Sequence, residues 1–228
     1  LSDQVADMDG LQMTVVGIRS LRSYTSRYFP DWFYTFLSGL KLLSREVTFW
    51  QDQSGRLHGT IEGPAWRVVF WEQILLSRIS ELYHTWNGTD TYSAETESVR
   101  AARKAIAMVS AGVNFCDMGT RRRYSRDHHR LVVQSMLDAV RPMKAAEGSF
   151  FGTSNLWLAS QFPELKCIGT MSHQWISVCA ALYGPVEANK MAMKLWYDTY
   201  YGHLGCYLPD CFGTDAFYRN FSSEDAKL

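Results

Sequence analysis

Between Gly119 and Ser125 the chain reads GTRRRYS, and its three consecutive arginines bring fixed positive charge to one turn. A guanidinium presents a planar fork of donors that suits phosphate or carboxylate, and a charge-assisted bond of this kind contributes about 1.5–3 kcal/mol. Arginine at a helix start opposes the helix dipole, so the run is either a solvated charge cluster or a site for an anion. A second stretch, GTSN at 152–155, puts backbone N–H groups and hydroxyls where a helix begins, which is an anion cradle or a plain serine cap. In LKCIGTMSHQW, residues 165–175, His173 stands between Ser172 and Gln174 after a Gly-Thr turn. It could be a packed core residue, a metal ligand or the group that does chemistry. Asp210, at the end of a short apolar run, either caps a helix or offers a carboxylate to ribose hydroxyls or a magnesium-bound phosphate. His128 and His129 are adjacent, point to different helical faces and make a poor metal pair, and His58, His84 and His203 lack ligand spacing.

These residues need elements to place them. Residues 31–43 carry Trp32, Phe33, Phe36, Leu37 and Leu40 on one helical stripe. Alternation of Val47 and Phe49, then Leu57, Gly59 and Ile61, around Ser54-Gly55 predicts an antiparallel hairpin. Helices are expected over 68–84, through Val68, Trp71, Leu75, Ile79 and Leu82, and over 95–111. After Gly112 the rhythm changes to a short apolar run, a turn and a helix. VNFCDM leads into a helix capped by Ser125, GSFFGTSN into one beginning near Ser154, KCIGTMSHQW into a third and LGCYLPDCFGTDAFYRNF into a fourth. Four such units predict a parallel β/α architecture, with the ligand site at the carboxyl ends of the strands. The polar stretch NGTDTYSAETES, 87–98, is the expected boundary between an α+β portion, 1–86, and a β/α portion, 87–228.

The totals exclude several function classes. Formal net charge is zero, and Tyr124 is the lone aromatic beside the arginine run, which speaks against nucleic acid. No apolar run approaches membrane-spanning length, so no membrane role and a cytoplasmic location are expected. The five cysteines are odd in number and include no C-x-x-C pair, which suits reduced thiols. Asn87-Gly88-Thr89 reads as a turn rather than a glycosylated site. The chain starts at Leu1 and stops soon after a helix-like segment, so both ends are expected to be incomplete.

Taken in order, GTRRRYSR, FFGTSNLWLA, IGTMSHQW and LPDCFGTDAFYRNF resemble the nicotinate phosphoribosyltransferases, the type II phosphoribosyltransferases of NAD salvage. The stretch GTIEGPAWRVVFWEQILLSRISELYH resembles that family's segment entering the barrel, and the likeness covers most of the chain. The resemblance implies an α+β portion followed by part of an incomplete α/β barrel. It also implies transfer of the phosphoribosyl group from phosphoribosyl pyrophosphate to nicotinate, coupled to hydrolysis of ATP with Mg²⁺ carried on the substrates, in a homodimer with shared active sites. His173 matches the histidine that ATP phosphorylates, and Asp210 a strand-end acid near the ribose and magnesium pyrophosphate. Arg121 matches the arginine near the pyridine carboxylate, Thr170 with Gly169 belongs to the nicotinate pocket, and Arg122 and Thr153 to phosphate binding. Ser154 stands where nicotinamide-specific relatives carry an aspartate, so a neutral hydroxyl with Arg121 favours the acid as substrate.

Three positions depart from the family's pattern: Met118 where phenylalanine stacks on the pyridine ring, Gln174 where glutamate follows the histidine, and Pro209 where threonine precedes the acid. The family's N-terminal aromatic segment and its later phosphate-binding loops have no match within the 228 residues. A catalytically inactive relative that serves as a binding or regulatory module is the alternative reading.

Overall fold

The chain divides after Cys167 into two units, and a computed structural model describes its residues 1–88, 93–143 and 148–223. The first unit opens with helices α1 (Ser2–Ala6), α2 (Val15–Thr25) and α3 (Asp31–Gly39). Helix α3 ends four residues before the expected 43, and Leu40 already has extended backbone. Its inward face also differs from the expected stripe: Trp32 is exposed, while Tyr34 is buried. The phenol explains the exchange, because its hydroxyl pairs at 2.9 Å with the Thr25 hydroxyl on α2, leaving no buried polar atom unmatched there.

The expected hairpin is present as β1 (Val47–Gln51) and β2 (Leu57–Ile61), paired antiparallel with Phe49 opposite Gly59. A Cβ at Gly59 would come within 2.6 Å of the Phe49 ring, so any other residue there would force the ring to move. Helices α4 (Ala65–Val68) and α5 (Trp71–Trp86) follow, separated by a short break within the single helix expected from 68. Trp71 is fully buried, and its indole N–H donates to Glu46 at 3.2 Å while the Arg67 guanidinium donates to the same carboxylate at 2.6 Å. Burial pushes the Glu46 carboxyl up, but these bonds outweigh it and hold the pKa below the ordinary range. Val5, Leu40, Leu42, Trp71 and Leu75 form the core here.

Ser93 caps α6 (Ala94–Ser110) through the Thr96 amide. The parallel part then runs β3 (Asn114–Asp117), α7 (Arg126–Val140), β4 (Ser149–Thr153), α8 (Leu156–Gln161) and β5 (Lys166–Cys167), with sheet order β3-β4-β5. Ser125 accepts from the His128 amide at 3.0 Å and caps α7 as expected. Phe115 and Phe150, paired across β3 and β4, stack with ring centroids 4.9 Å apart. Ala105, Val133, Leu137, Leu158 and Leu165 close the core between these helices and the sheet.

In the second unit α9 (His173–Tyr183), α10 (Ala188–Tyr200) and α11 (Thr214–Asn220) pack around Met171, Ile176, Cys179, Ala192, Met193 and Phe217. The Trp175 and Trp196 indoles donate to the carbonyls of Ala192 and Leu204. Of the four expected strand–turn–helix units, three have paired strands among the described residues. In the fourth run, around Cys206, the Cys206 carbonyl accepts the Met171 N–H at 3.0 Å, and the run is no strand. The α/β class stands. The stretch expected to mark a boundary, 87–98, includes residues 89–92, which lie outside the described residues, as do Thr89 of the Asn-Gly-Thr turn and residues 224–228. No described helix is long and apolar enough to cross a membrane.

Candidate active site

Strand β3 ends on Asp117, and the chain turns at once through Met118, Gly119 and a single helical turn over Thr120–Arg122. Both carboxylate oxygens of Asp117 are occupied. His129 Nε2 donates to them at 3.0 and 2.9 Å, the Thr153 hydroxyl at 2.7 Å and the Gly119 amide at 3.0 Å. Burial alone would push the Asp117 carboxyl up; the bond and charge of His129, with the other two donors, outweigh it and hold the pKa below the ordinary carboxylate range. The Asp117 carbonyl accepts from the Ser154 amide at 2.8 Å, and Asn155 Nδ2 reaches the Thr120 hydroxyl at 3.0 Å. The Gly-Thr turns after β3 and β4 are thereby tied together.

On the other side of the arginine run, α5 supplies carboxylates. Glu72 accepts from Arg121 Nη1, and Glu81 pairs with Arg123 at 3.3 Å and accepts the Arg126 amide at 3.0 Å. Arg121 is therefore held from α5 while partly open to solvent, and Arg122 and Met118 are exposed. Thr153 is fully buried, its hydroxyl donated to Asp117 and accepting the Asn155 amide at 3.1 Å. Ser154 beside it is exposed. Helix α8 begins at Leu156 with Asn155 as its cap, accepting the Leu158 amide at 3.1 Å, so the expected start near Ser154 moves by two residues. His128, packed against Tyr124 and 3.6 Å from Glu97, has its pKa lowered by burial more than Glu97 raises it.

In the second unit, Ser172 accepts the Trp175 amide at 3.1 Å and caps α9, which makes His173 its first residue. His173 Nε2 lies 2.9 Å from Asp210 Oδ1, with both side chains well exposed, 49% and 69%. The bond from His173 keeps the Asp210 carboxyl below its ordinary pKa. A carboxylate can only accept, so Nε2 carries the proton and a neutral ring presents its lone pair at Nδ1. Gly169 and Thr170 lead into this cap, both partly buried; Leu204 packs near Gly169, 3.3 Å from where a Cβ would stand. A nucleophilic imidazole at a helix N-terminus, oriented by an acid, can accept a phosphoryl group whose charge the helix end favours.

The structure thus gathers Met118, Arg121, Arg122, Thr153 and Ser154 in the first unit, and Gly169, Thr170, His173 and Asp210 in the second. Sequence reasoning missed Glu72, Glu81, Asp117 and His129 as partners. The signal available for Asp117 was its place before a Gly-Thr turn at the end of an apolar run, where Asp210 also follows such a run.

Residues 113–228 match the model of the nicotinate phosphoribosyltransferase (NAPRTase) family. A nicotinate phosphoribosyltransferase of Desulforapulum autotrophicum is 33% identical over 227 residues, 96% of this chain and 56% of that protein. One from Chromohalobacter salexigens is 32% identical over 228 residues, covering 100% of this chain and 56% of its own length. The crystal structure of nicotinate phosphoribosyltransferase from Porphyromonas gingivalis is similar with a TM-score of 0.85 at 32% identity, across 100% of this chain and 56% of that one. The chain spans little more than half the length of these relatives.

Proposed function

Because the chain belongs to the nicotinate phosphoribosyltransferase family, we propose that the protein carrying it joins nicotinate to the phosphoribosyl group in NAD salvage. The pyridine nitrogen forms the new bond to C1 of phosphoribosyl pyrophosphate as the bond to pyrophosphate breaks. Arg121 supplies a guanidinium to the nicotinate carboxylate, and Ser154 adds a hydroxyl without repelling charge. Met118 packs against the ring and Arg122 meets phosphate oxygens, while Gly169 and Thr170 are assigned to nicotinate by their match to the family's motif. Thr153 contributes through its place in the turn, since its hydroxyl is committed to Asp117 and Asn155.

The observation that carries the coupling to ATP is the His173–Asp210 hydrogen bond at the start of α9. Asp210 fixes the ring, Nδ1 forms the bond to the terminal phosphorus of ATP, and the bond to ADP breaks; water later releases the phosphoryl group as phosphate. Among the described residues no group of three or more His, Cys, Asp or Glu is placed to hold a metal ion. Mg²⁺ would arrive on the polyphosphates, with protein carboxylates such as Asp210 contributing singly. Two copies sharing their sites complete the reading.

Intact-protein mass spectrometry with and without Mg-ATP, with the added group mapped under neutral to alkaline conditions, is the test. The expected result is a phosphoryl group on His173. His173→Ala should lose ATP stimulation while keeping a slower ATP-independent synthesis, and undiminished ATP coupling in that variant would sink the role.

A further inference from the structure

We infer that Asp117 and His129 are positioning residues for the proposed transfer: a buried acid–imidazole pair that fixes the GTRRR and GTSN turns against each other. The inference rests on the function proposed above. The Asp117 and His129 side chains are only 9% and 6% exposed, and Thr153 is wholly buried. One carboxylate therefore joins the end of β3, the Gly119 turn, the end of β4 and the first turns of α7. The approach is close enough that a Cβ at Gly119 would stand 3.0 Å from Asp117 Oδ1 and 3.3 Å from His129 Nε2. A side chain there would have to push the Asp117 and His129 side chains by a few tenths of an ångström.

His129 has its Nδ1 buried without a partner, so the polar purpose of the ring is spent on Asp117. A buried pair of this kind is costly to desolvate, and a well-packed apolar pair is often at least as stable. Its position at the junction of the two turns points instead to geometry. Gly119 lies two residues before Arg121, and the Ser154 amide is bonded to the Asp117 carbonyl, so the pair sets where the guanidinium and the neutral hydroxyl stand. Displacements on the order of 1 Å in such a site cost about 100-fold in rate.

The test compares His129→Leu with His129→Gln, whose amide can still donate to Asp117, in the full-length protein. Two readouts are taken where circular dichroism matches the parent: amide hydrogen exchange at Gly119 and Ser154, and kcat and KM for nicotinate. The leucine variant should speed exchange at both amides and lower kcat/KM by at least about tenfold, while glutamine stays within about threefold of the parent. If leucine speeds exchange but leaves kcat and KM unchanged, or changes neither, the pair is merely structural and the inference is overturned. If the leucine variant does not fold, the isosteric Asp117→Asn is read in the same way. A parent protein that makes no nicotinate mononucleotide would instead remove the proposed function, and exchange alone would then decide whether the pair holds the turns.

Discussion

Asp117 and Asp210 both bind a histidine through Nε2, yet they differ in what surrounds them. The first is buried with three donors; the second is exposed with its histidine at a helix start. The buried pair suits fixed geometry and the exposed one suits a group that must meet a substrate. Burial also gives His128 a pH signature. Its folded pKa lies below the unfolded value, so the unfolded chain binds more protons as the pH falls through the ordinary histidine range near ~6.5. Its stabilising share is present above that range and lost below it, at no more than about 1.4 kcal/mol per pH unit for a single group. Asp117 acts further down: its stability is present above the ordinary carboxylate value and lost as the pH falls through its lowered folded pKa. Denaturant titrations across pH 5–7 should show a slope that His128→Gln flattens; an unchanged slope would mean that His128 is not its source. His173 and Asp210 each stood out in the sequence as a candidate beside a turn, but their contact across 37 positions was not readable there. The Asp117–His129 contact joins residues twelve positions apart on different elements, and neither periodicity nor turn chemistry reports it.

Among elements, α5 does the most to place the arginine run, since it carries Glu72 and Glu81 and is itself anchored by Trp71. Replacing Trp71 with alanine removes a fully buried indole and leaves Glu46 short of a donor. A loss of about 3–5 kcal/mol is expected from the cavity, measured by equilibrium denaturation, and a change under about 1 kcal/mol would contradict the anchoring assigned to it. Helical periodicity found Trp71 and Leu75 on one buried face, because a long amphipathic helix repeats its pattern often enough to read. In the short α3 the expected stripe holds at Leu37 and Leu40, which are buried, and fails at Trp32, which is exposed while Tyr34 turns inward to pair with Thr25. Strands β3, β4 and β5 were readable as short runs before turns. The run around Cys206 has the same composition and no strand partner, a difference that pairing decides and composition does not carry.

Across the whole molecule, zero net charge leaves recognition of anions to local groups rather than to a global field. Under the proposed function, Arg121, Arg122, the Gly-Thr turns and the N-terminus of α9 are those groups. The family, shared with relatives about a third identical to this chain, was legible because four motifs keep their order, although each alone has a bland reading. The most direct measurement is product formation by the full-length protein from phosphoribosyl pyrophosphate, with nicotinate, nicotinamide or quinolinate offered in turn and Mg-ATP present or absent. Nicotinate mononucleotide and pyrophosphate are expected from nicotinate, faster with Mg-ATP, and little or no product from the other two. Product from nicotinamide or quinolinate in preference, or none from any of the three, would contradict the proposed function.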